Sequence, residues 1–150
     1  DRAVIIDFSQ RNEASVLNRR IPQIHLGAEK LQSLFAEAFA NPNYNLKREE
    51  YEKFSKLTDF VLDAFDVNFG NRILNQIVRF VPVYVACGGT SAKALDLMFS
   101  RKVLRKLEGK FDDGIKANLV RLEKLVLAEY GKTEFSSTLE AVARLKRKLI

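Results

Sequence analysis

Hydrophobic residues recur every three to four positions through most of the chain, which is the spacing of helices that bury one face. This spacing predicts six helices, over Ala28–Ala40, Lys47–Phe65, Asn71–Cys87, Ala92–Leu107, a segment capped by Asp112 or Asp113 that ends at Gly131, and Ser137 towards Ile150. Ala3–Phe8 instead holds a short β-branched run that predicts a strand. The predicted fold class is therefore mainly α, a helical bundle with one short N-terminal strand.

The predicted third helix has two distinct faces. Its apolar stripe consists of Leu74, Ile77, Val78, Val81 and Val85. Its polar stripe, at the same helical spacing, consists of Arg72, Asn75, Gln76 and Arg79. A polar stripe with two arginines either carries chemistry or is the solvated side of the helix. Pro82 is expected to kink this helix or to end it early, because proline lacks the N–H that the helix needs.

Two short motifs predict how the later helices begin. Gly88 and Gly89 form a flexible break, after which Thr90-Ser91 supplies a helix N-cap. Ser137–Glu140 has the pattern of a capping box, in which a hydroxyl and a carboxylate satisfy the first N–H groups of a helix.

Length and composition limit the class of protein. The 150 residues (17.1 kDa) correspond to one domain or one domain with an appendage, and the 47% hydrophobic and 29% charged residues exclude a wholly disordered chain. The longest apolar run, Phe80–Cys87, is far shorter than the roughly 20 residues of a membrane span. A basic leader followed by a long apolar segment is absent from the start of the chain, so a cytoplasmic location is expected.

The net charge of +6 lies entirely in the last third of the chain. Residues 1–100 contain equal numbers of basic and acidic side chains, whereas residues 101–150 contain an excess of lysine and arginine. Such an excess is either an electrostatic footprint for nucleic acid or a solvated helical surface, and the interleaved acidic residues favour the second interpretation.

The common signatures of self-sufficient catalysis are missing from the sequence. It contains no phosphate-binding GxxxxGK[ST] loop. The only histidine, His25, has no second histidine and no adjacent cysteine, so no metal ligands are predicted. The only cysteine, Cys87, ends an apolar helix and is expected to be buried.

Three segments, in order, carry a family resemblance. They are Asp1-Arg2-Ala3-Val4-Ile5-Ile6-Asp7-Phe8, Phe69-Gly70-Asn71-Arg72-Ile73-Leu74-Asn75-Gln76-Ile77, and the stretch 94–109, which begins Ala-Leu-Asp-Leu. Together they resemble the C-terminal part of McrB-like AAA+ NTPases, the nucleotide-hydrolysing subunits of modification-dependent restriction systems. Phe135–Leu149 is more loosely similar to the last helix of that family. Two positions depart from the family's pattern, because Arg105 stands where proline is usual and Gln76 replaces an acid.

The resemblance implies a division of the chain and a set of site residues. Residues 1–8 would be the last strand of an AAA+ core, residues 9–46 an irregular excursion with one helix, and residues 47–150 the helical lid domain. Arg72 would be the sensor arginine of the nucleotide site, where Gly70 and Asn71 would help to bind the nucleotide. Arg2 would reach the nucleotide of a neighbouring subunit, so Arg72 and Arg2 are the predicted catalytic residues.

The resemblance also implies a parent protein with cofactors and partners. That parent would use ATP or GTP with Mg²⁺, whereas the chain alone, which lacks the Walker A and Walker B motifs, is expected to bind no cofactor and to hydrolyse nothing. Its implied partners are neighbouring AAA+ subunits in a homo-oligomeric ring, a nuclease subunit and, indirectly, DNA, with no membrane. The chain starts at Asp1 in a predicted strand, so it is expected to be a fragment of a longer protein.

Two alternative functions remain open at this point. The first is a basic nucleic-acid-binding module that uses the C-terminal cations Arg101, Lys102, Arg105, Lys106, Arg144, Lys146, Arg147 and Lys148. The second is a module that docks onto a nuclease subunit without contacting nucleotide.

Overall fold

The computed structural model describes residues 25–67, 70–109 and 114–148. This part of the chain contains no β-strand and is mainly helical, as predicted. Its seven α-helices are α1 (Ala28–Ala40), α2 (Arg48–Phe65), α3 (Asn71–Ala86), α4 (Ser91–Met98), α5 (Ile115–Glu129), α6 (Gly131–Glu134) and α7 (Ser136–Lys148). The predicted strand Ala3–Phe8, the predicted catalytic residue Arg2 and the predicted caps Asp112 and Asp113 lie outside the described residues.

Side chains fix the starts of several helices. At the start of α2, the carboxylate of Glu50 accepts the backbone N–H of Lys47 at 3.0 Å. At the start of α4, the hydroxyl of Thr90 accepts the backbone N–H of Lys93 at 3.2 Å, which confirms the N-cap expected after the glycine pair. Each bond satisfies an N–H that has no partner within its own helix.

Helix α3 does not end at Pro82 but continues to Ala86. The proline removes one helical hydrogen bond, and its ring is buried together with Ile77 and Val81. Burial of this apolar face against the rest of the core stabilises the helix beyond the proline, because packing outweighs local propensity in a helix of this length.

The core lies where α2, α3, α4, α5 and α7 meet, and α2 contributes Phe54, Leu57 and Val61, each at most 1% exposed. Helix α5 contributes the apolar residues that recur at helical spacing along it, and all four are buried, namely Ile115, Leu119, Leu122 and Val126. The rings of Phe54 and Phe99 pack edge to face, 5.8 Å apart. Each such side chain contributes about 1.5–3 kcal/mol when it is fully buried.

Several apolar residues that periodicity assigned to buried faces are exposed. On α1 only Ala38 is buried, whereas Leu31, Leu34, Phe35 and Phe39 are 39–46% exposed. Helix α1 packs mainly on α3 and on the short 3₁₀ turn Pro42–Tyr44, and these contacts leave its four large apolar side chains partly exposed among the described residues. Leu62, Val78 and Cys87 are exposed as well, and the expectation that Cys87 is buried is wrong.

The predicted helix Ala92–Leu107 is not one regular α-helix but consists of α4 and two turns of other helical types. After α4, a π-helical turn spans Phe99–Val103, and a 3₁₀ turn spans Leu104–Leu107. The apolar residues of the two turns are buried, namely Phe99, Val103, Leu104 and Leu107, while the four cations between them reach the surface. Gly109, with φ +90°, ends the stretch as predicted, because this left-handed backbone favours glycine.

Candidate functional site

A cleft of about 300 Å³ lies between the start of α3 and the π and 3₁₀ turns that follow α4. We call it the basic cleft, and it is lined by Gly70, Arg72, Ile73, Gln76, Arg101, Lys102, Arg105 and Lys106. The two walls come from segments well separated in sequence, which α3 and α4 bring together by packing against each other.

The first wall is the N-terminal turn of α3. Gly70 is the N-cap, and its carbonyl accepts the backbone N–H of Ile73 at 3.0 Å. Arg72 follows in the first turn, so its guanidinium lies near the positive end of the helix dipole, where anions are favoured. A Cβ at Gly70 would meet no atom within 4 Å, and the φ of −65° suits any residue, so packing within the described residues gives no reason for glycine here.

The second wall is the stretch of π and 3₁₀ turns. Arg101 and Lys102 are half-buried in the π turn, whereas Arg105 and Lys106 are exposed in the 3₁₀ turn. Because Val103, between the two pairs, is fully buried, the backbone that carries the four cations is anchored in the core. π-Helical turns inside helices occur frequently at functional sites.

The electrostatics of the cleft favour an anionic ligand. Five of its lining residues carry a positive charge, and no acidic side chain is among the described residues that line it. Arginine offers a planar fork of donors that matches a phosphate, and lysine adds a compact point charge. Several cations around one concave surface concentrate anions there.

Two basic residues of α7 are paired with acids on the helical surface. Lys146 on α7 donates to Glu123 on α5 at 2.6 Å, and Arg144 lies 3.9 Å from Glu108. The eight cations of the nucleic-acid alternative therefore divide into four that line the cleft and four on α7, two of which pair with carboxylates.

The structure brings together only some of the site residues expected from sequence. Gly70 and Arg72 both line the cleft, while Asn71, the first residue of α3, is exposed and does not. Of the polar stripe on α3, Arg72 and Gln76 reach the cleft, whereas Arg79 does not.

Sequence reasoning did not join Arg72 to the four cations of the second wall. The sequence indicated these four cations only as part of a possible nucleic-acid-binding surface, and Arg105 also as a replacement for proline. The signal available in the sequence was that Arg72 and these cations lie in the second and third of the three segments of the family resemblance.

Metal-binding groups are scarce in the described part of the chain. Within residues 25–67, 70–109 and 114–148, no three His, Cys, Asp or Glu side chains are grouped so that they could hold a metal ion. Nor does any helix in these ranges combine the length and the apolar composition needed to cross a bilayer.

A comparison with protein families covers nearly the whole molecule. The model of a domain of unknown function, DUF8727, matches residues 17–150. The chain belongs to this family. Both walls of the basic cleft thus lie within the DUF8727 domain, whereas Arg2 and the predicted strand Ala3–Phe8 precede the matched residues. No curated protein and no solved structure matches the chain.

Proposed function

We propose that the DUF8727 domain binds the phosphates of a nucleoside triphosphate in its basic cleft and acts as the lid of an NTPase, with Arg72 as the sensor arginine. The proposal rests on one observation. Two of the segments that resemble McrB-like AAA+ NTPases contribute opposite walls of a single cleft, and Arg72 lies on one of them.

The chemistry of Arg72 suits this role. A guanidinium is a planar fork of donors that can form two parallel hydrogen bonds with phosphate oxygens. During phosphoryl transfer, negative charge is spread over the oxygens of the transferred group. A well-placed arginine stabilises that charge and can raise the rate of transfer by several powers of ten. The first N–H groups of α3 would add to the attraction of the anion.

The parts that this chain lacks would come from a parent protein. The sequence has no P-loop, so the cradle for the phosphates and the magnesium ligands would belong to an AAA+ core. The parent protein would bind ATP or GTP with Mg²⁺ through that core. It would also contact the neighbouring subunits of the ring, the nuclease subunit and, indirectly, DNA. Arg2, ahead of the predicted strand, would serve a neighbour's nucleotide.

Binding measurements on two arginine variants test the proposal. A non-hydrolysable triphosphate analogue is titrated into a longer protein that contains a P-loop and this domain, and into its Arg72→Ala variant, which we expect to bind at least tenfold more weakly, or about 1.4 kcal/mol. Arg79→Ala is the matched control, because Arg79 is an exposed arginine on the same helix that does not line the cleft. The proposal fails if Arg72→Ala binds the analogue as tightly as Arg79→Ala does.

The exposed cations favour a second candidate function, nonspecific binding of nucleic acid. Arg105 and Lys106 are exposed at the cleft, and Arg147 and Lys148 are exposed at the end of α7. Such binding would weaken steeply with salt, because each phosphate contact releases counterions. Duplex DNA that binds much more tightly than about 10⁻⁶ M at physiological salt would favour this function over the lid.

A further inference from the structure

We infer that a groove between α2 and α3 is the docking site for a basic amphipathic helix of a partner protein. The groove has a volume of about 210 Å³, and we call it the α2–α3 groove. Tyr51, Asp59 and Leu62 line it from α2, and Leu74 lines it from α3. None of the described residues that line this groove also lines the basic cleft, so the inference does not depend on the proposed nucleotide site.

The groove is built on the hydrophobic core. Helices α2 and α3 both pack against α4, which places the two walls beside each other. Phe54 and Val67, which also line the groove, are 1% and 5% exposed and belong to the core. Because core side chains are closely packed, this floor keeps its shape without a ligand. A partner therefore binds a groove that is already formed, at little cost in ordering.

Apolar side chains are exposed along both walls. Tyr51 and Leu62 on α2 are 47% and 41% exposed, and Val78 on α3 is 57% exposed. Val78 lies one helical turn after Leu74, so the two residues share one face of α3 and extend its apolar edge. Single exposed apolar residues are ordinary on a protein surface, but a group of them around a concave surface marks an interaction site.

The dimensions of the groove favour a helix as its occupant. Its volume is below the roughly 300–1,000 Å³ of pockets that enclose an organic ligand. Along α2 it extends from Tyr51 to Leu62, about three helical turns or roughly 16 Å. An amphipathic helix inserts single apolar side chains from successive turns into a groove of this form. An added strand would need a free backbone edge, whereas the backbone groups of α2 and α3 are bonded within each helix.

Carboxylates on the α2 wall select a basic partner. Asp59 lines the groove, Asp63 follows one turn later on the same side of α2, and both are exposed. The hydroxyl of Ser55 donates to Asp59 at 3.4 Å. A carboxylate has about four acceptor sites, so this bond leaves Asp59 able to accept from a lysine or an arginine as well. Such an attraction is local, because charges are screened beyond about 8 Å at physiological salt.

Selection from a peptide library tests which peptides the groove binds. Random peptides of about 14 residues, or four helical turns, are displayed on phage and selected on the 150-residue chain. Peptides that also bind the double variant Leu62→Ser/Val78→Ser are discarded, so that only binders of the groove remain. We expect these to have apolar residues at i, i+3 or i+4, and i+7 and a net positive charge.

The net charge of the chain makes this expectation demanding. Because the chain carries +6, general electrostatic attraction would enrich acidic peptides rather than basic ones. The inference is wrong if no peptide remains after the counter-selection, or if the remaining peptides are acidic or lack helical spacing.

A variant outside the selection tests the apolar contacts. The strongest recovered peptide is synthesised, and its affinity is measured by calorimetry. Tyr51→Ser should weaken binding at least fivefold, because the peptide loses an apolar contact at one end of the groove. Leu127→Ser is the matched control, since Leu127 is 43% exposed on α5 and does not line the groove, and it should change the affinity less than twofold. Circular dichroism establishes that each variant keeps its helices.

A charge variant tests the selection for a basic partner. Asp59→Asn/Asp63→Asn should weaken the same peptide at least threefold, and high salt should reduce this difference. Glu29→Gln/Glu140→Gln, which neutralises two exposed carboxylates on α1 and α7, is the control and should change the affinity less than twofold. An affinity that is unchanged by Tyr51→Ser or by the aspartate variant would overturn the inference.

The competing occupant is a second copy of this chain. Sedimentation equilibrium of the wild-type chain distinguishes the two, and we expect the same monomer mass for it as for Leu62→Ser/Val78→Ser. A wild-type dimer that this double variant converts to a monomer would show that the groove is covered by another copy, and the inference of a basic partner helix would be wrong.

Discussion

The carboxylate of Asp96 on α4 accepts the backbone N–H of Thr138 at 2.7 Å and that of Ser137 at 3.0 Å. A side chain of α4 thus caps the start of α7. Asp96 is fully buried, and its backbone carbonyl accepts a further bond from the hydroxyl of Thr138 at 3.4 Å. The buried carboxylate is stabilised by these donors and by the positive end of the α7 dipole.

Replacing Asp96 should therefore destabilise the fold strongly. Asp96→Ala leaves two N–H groups without their acceptor, and hydrogen bonds to a charged group are worth about 1.5–3 kcal/mol each. We expect a loss of about 3 kcal/mol in the free energy of unfolding, measured by urea denaturation. Asp63→Ala, at an exposed position of α2, should change it by no more than about 0.5 kcal/mol. Equal stability of the two variants would contradict the capping role.

A second prediction concerns the close approach of Gly89 to Tyr84. A Cβ at Gly89 would lie 2.2 Å from Cε1 of the Tyr84 ring and 3.0 Å from the Tyr84 carbonyl oxygen. The ring is held by Phe80, whose centroid is 5.5 Å away, so it cannot move without losing that contact. Gly89→Ala should therefore cost about 1–3 kcal/mol of stability, as overpacking does.

The control for Gly89 is another glycine at the start of a helix. Gly70→Ala adds a Cβ into open space, so in thermal unfolding it should lose only the preference of an N-cap for glycine over alanine, less than about 1 kcal/mol. In the double variant Tyr84→Ala/Gly89→Ala, the two costs should not add fully, because the clash with the ring no longer exists and only the contact with the carbonyl oxygen remains. Additive costs would show that the Tyr84 ring is not what excludes a side chain at position 89.

A third prediction follows from the environment of Tyr130. Burial raises the pKa of this phenol well above its usual value near 10, and the negative charges of Glu50 and Glu129 raise it further. The folded protein therefore keeps the proton that the unfolded chain loses, so the stability contributed by neutral Tyr130 is complete below pH 10 and is lost as the pH rises above it.

Comparison with Tyr130→Phe isolates this contribution. The ring should keep its stacking on Phe135, at 3.8 Å between centroids, but phenylalanine has no proton to lose. Between pH 10 and 11.5, wild-type stability should fall more steeply than that of Tyr130→Phe, by up to about 1.4 kcal/mol per pH unit. Tyr51→Phe, at an exposed position, should fall as steeply as the wild type. Parallel curves for all three proteins would show that folding does not raise the pKa of Tyr130.

Local patterns predicted the helices well where burial follows the helical period. The bounds of α1 are those expected, and α2 begins one residue later than expected, because apolar spacing and the break at Asn41–Asn43 are properties of neighbouring residues. Which apolar residues are buried was harder to predict. Phe35 and Leu57 both lie at helical spacing among other apolar residues, but Leu57 is fully buried whereas Phe35 is 40% exposed.

Features that depend on distant residues were not predictable in this way. The capping box at Ser137–Glu140 marked the right place for a helix start, yet the N–H groups of Ser137 and Thr138 are bound by Asp96, more than 40 residues away in sequence. The π turn at Phe99–Val103 likewise has no local signature, so the cations that it turns towards Arg72 could not be assigned to the cleft.

The last prediction concerns catalysis. The purified 150-residue chain should not hydrolyse ATP or GTP with Mg²⁺ above background, because its sequence has no phosphate-binding loop and Arg72 alone does not activate water. Phosphate release, measured over hours at high protein concentration, provides the check. In a longer protein that does contain a P-loop and this domain, Arg72→Ala should lower kcat at least tenfold, which is about 1.4 kcal/mol of transition-state stabilisation. Arg79→Ala should leave kcat within twofold. Turnover by the isolated chain, or an unchanged kcat for Arg72→Ala in the longer protein, would show that the cleft does not act as the sensor of an NTPase.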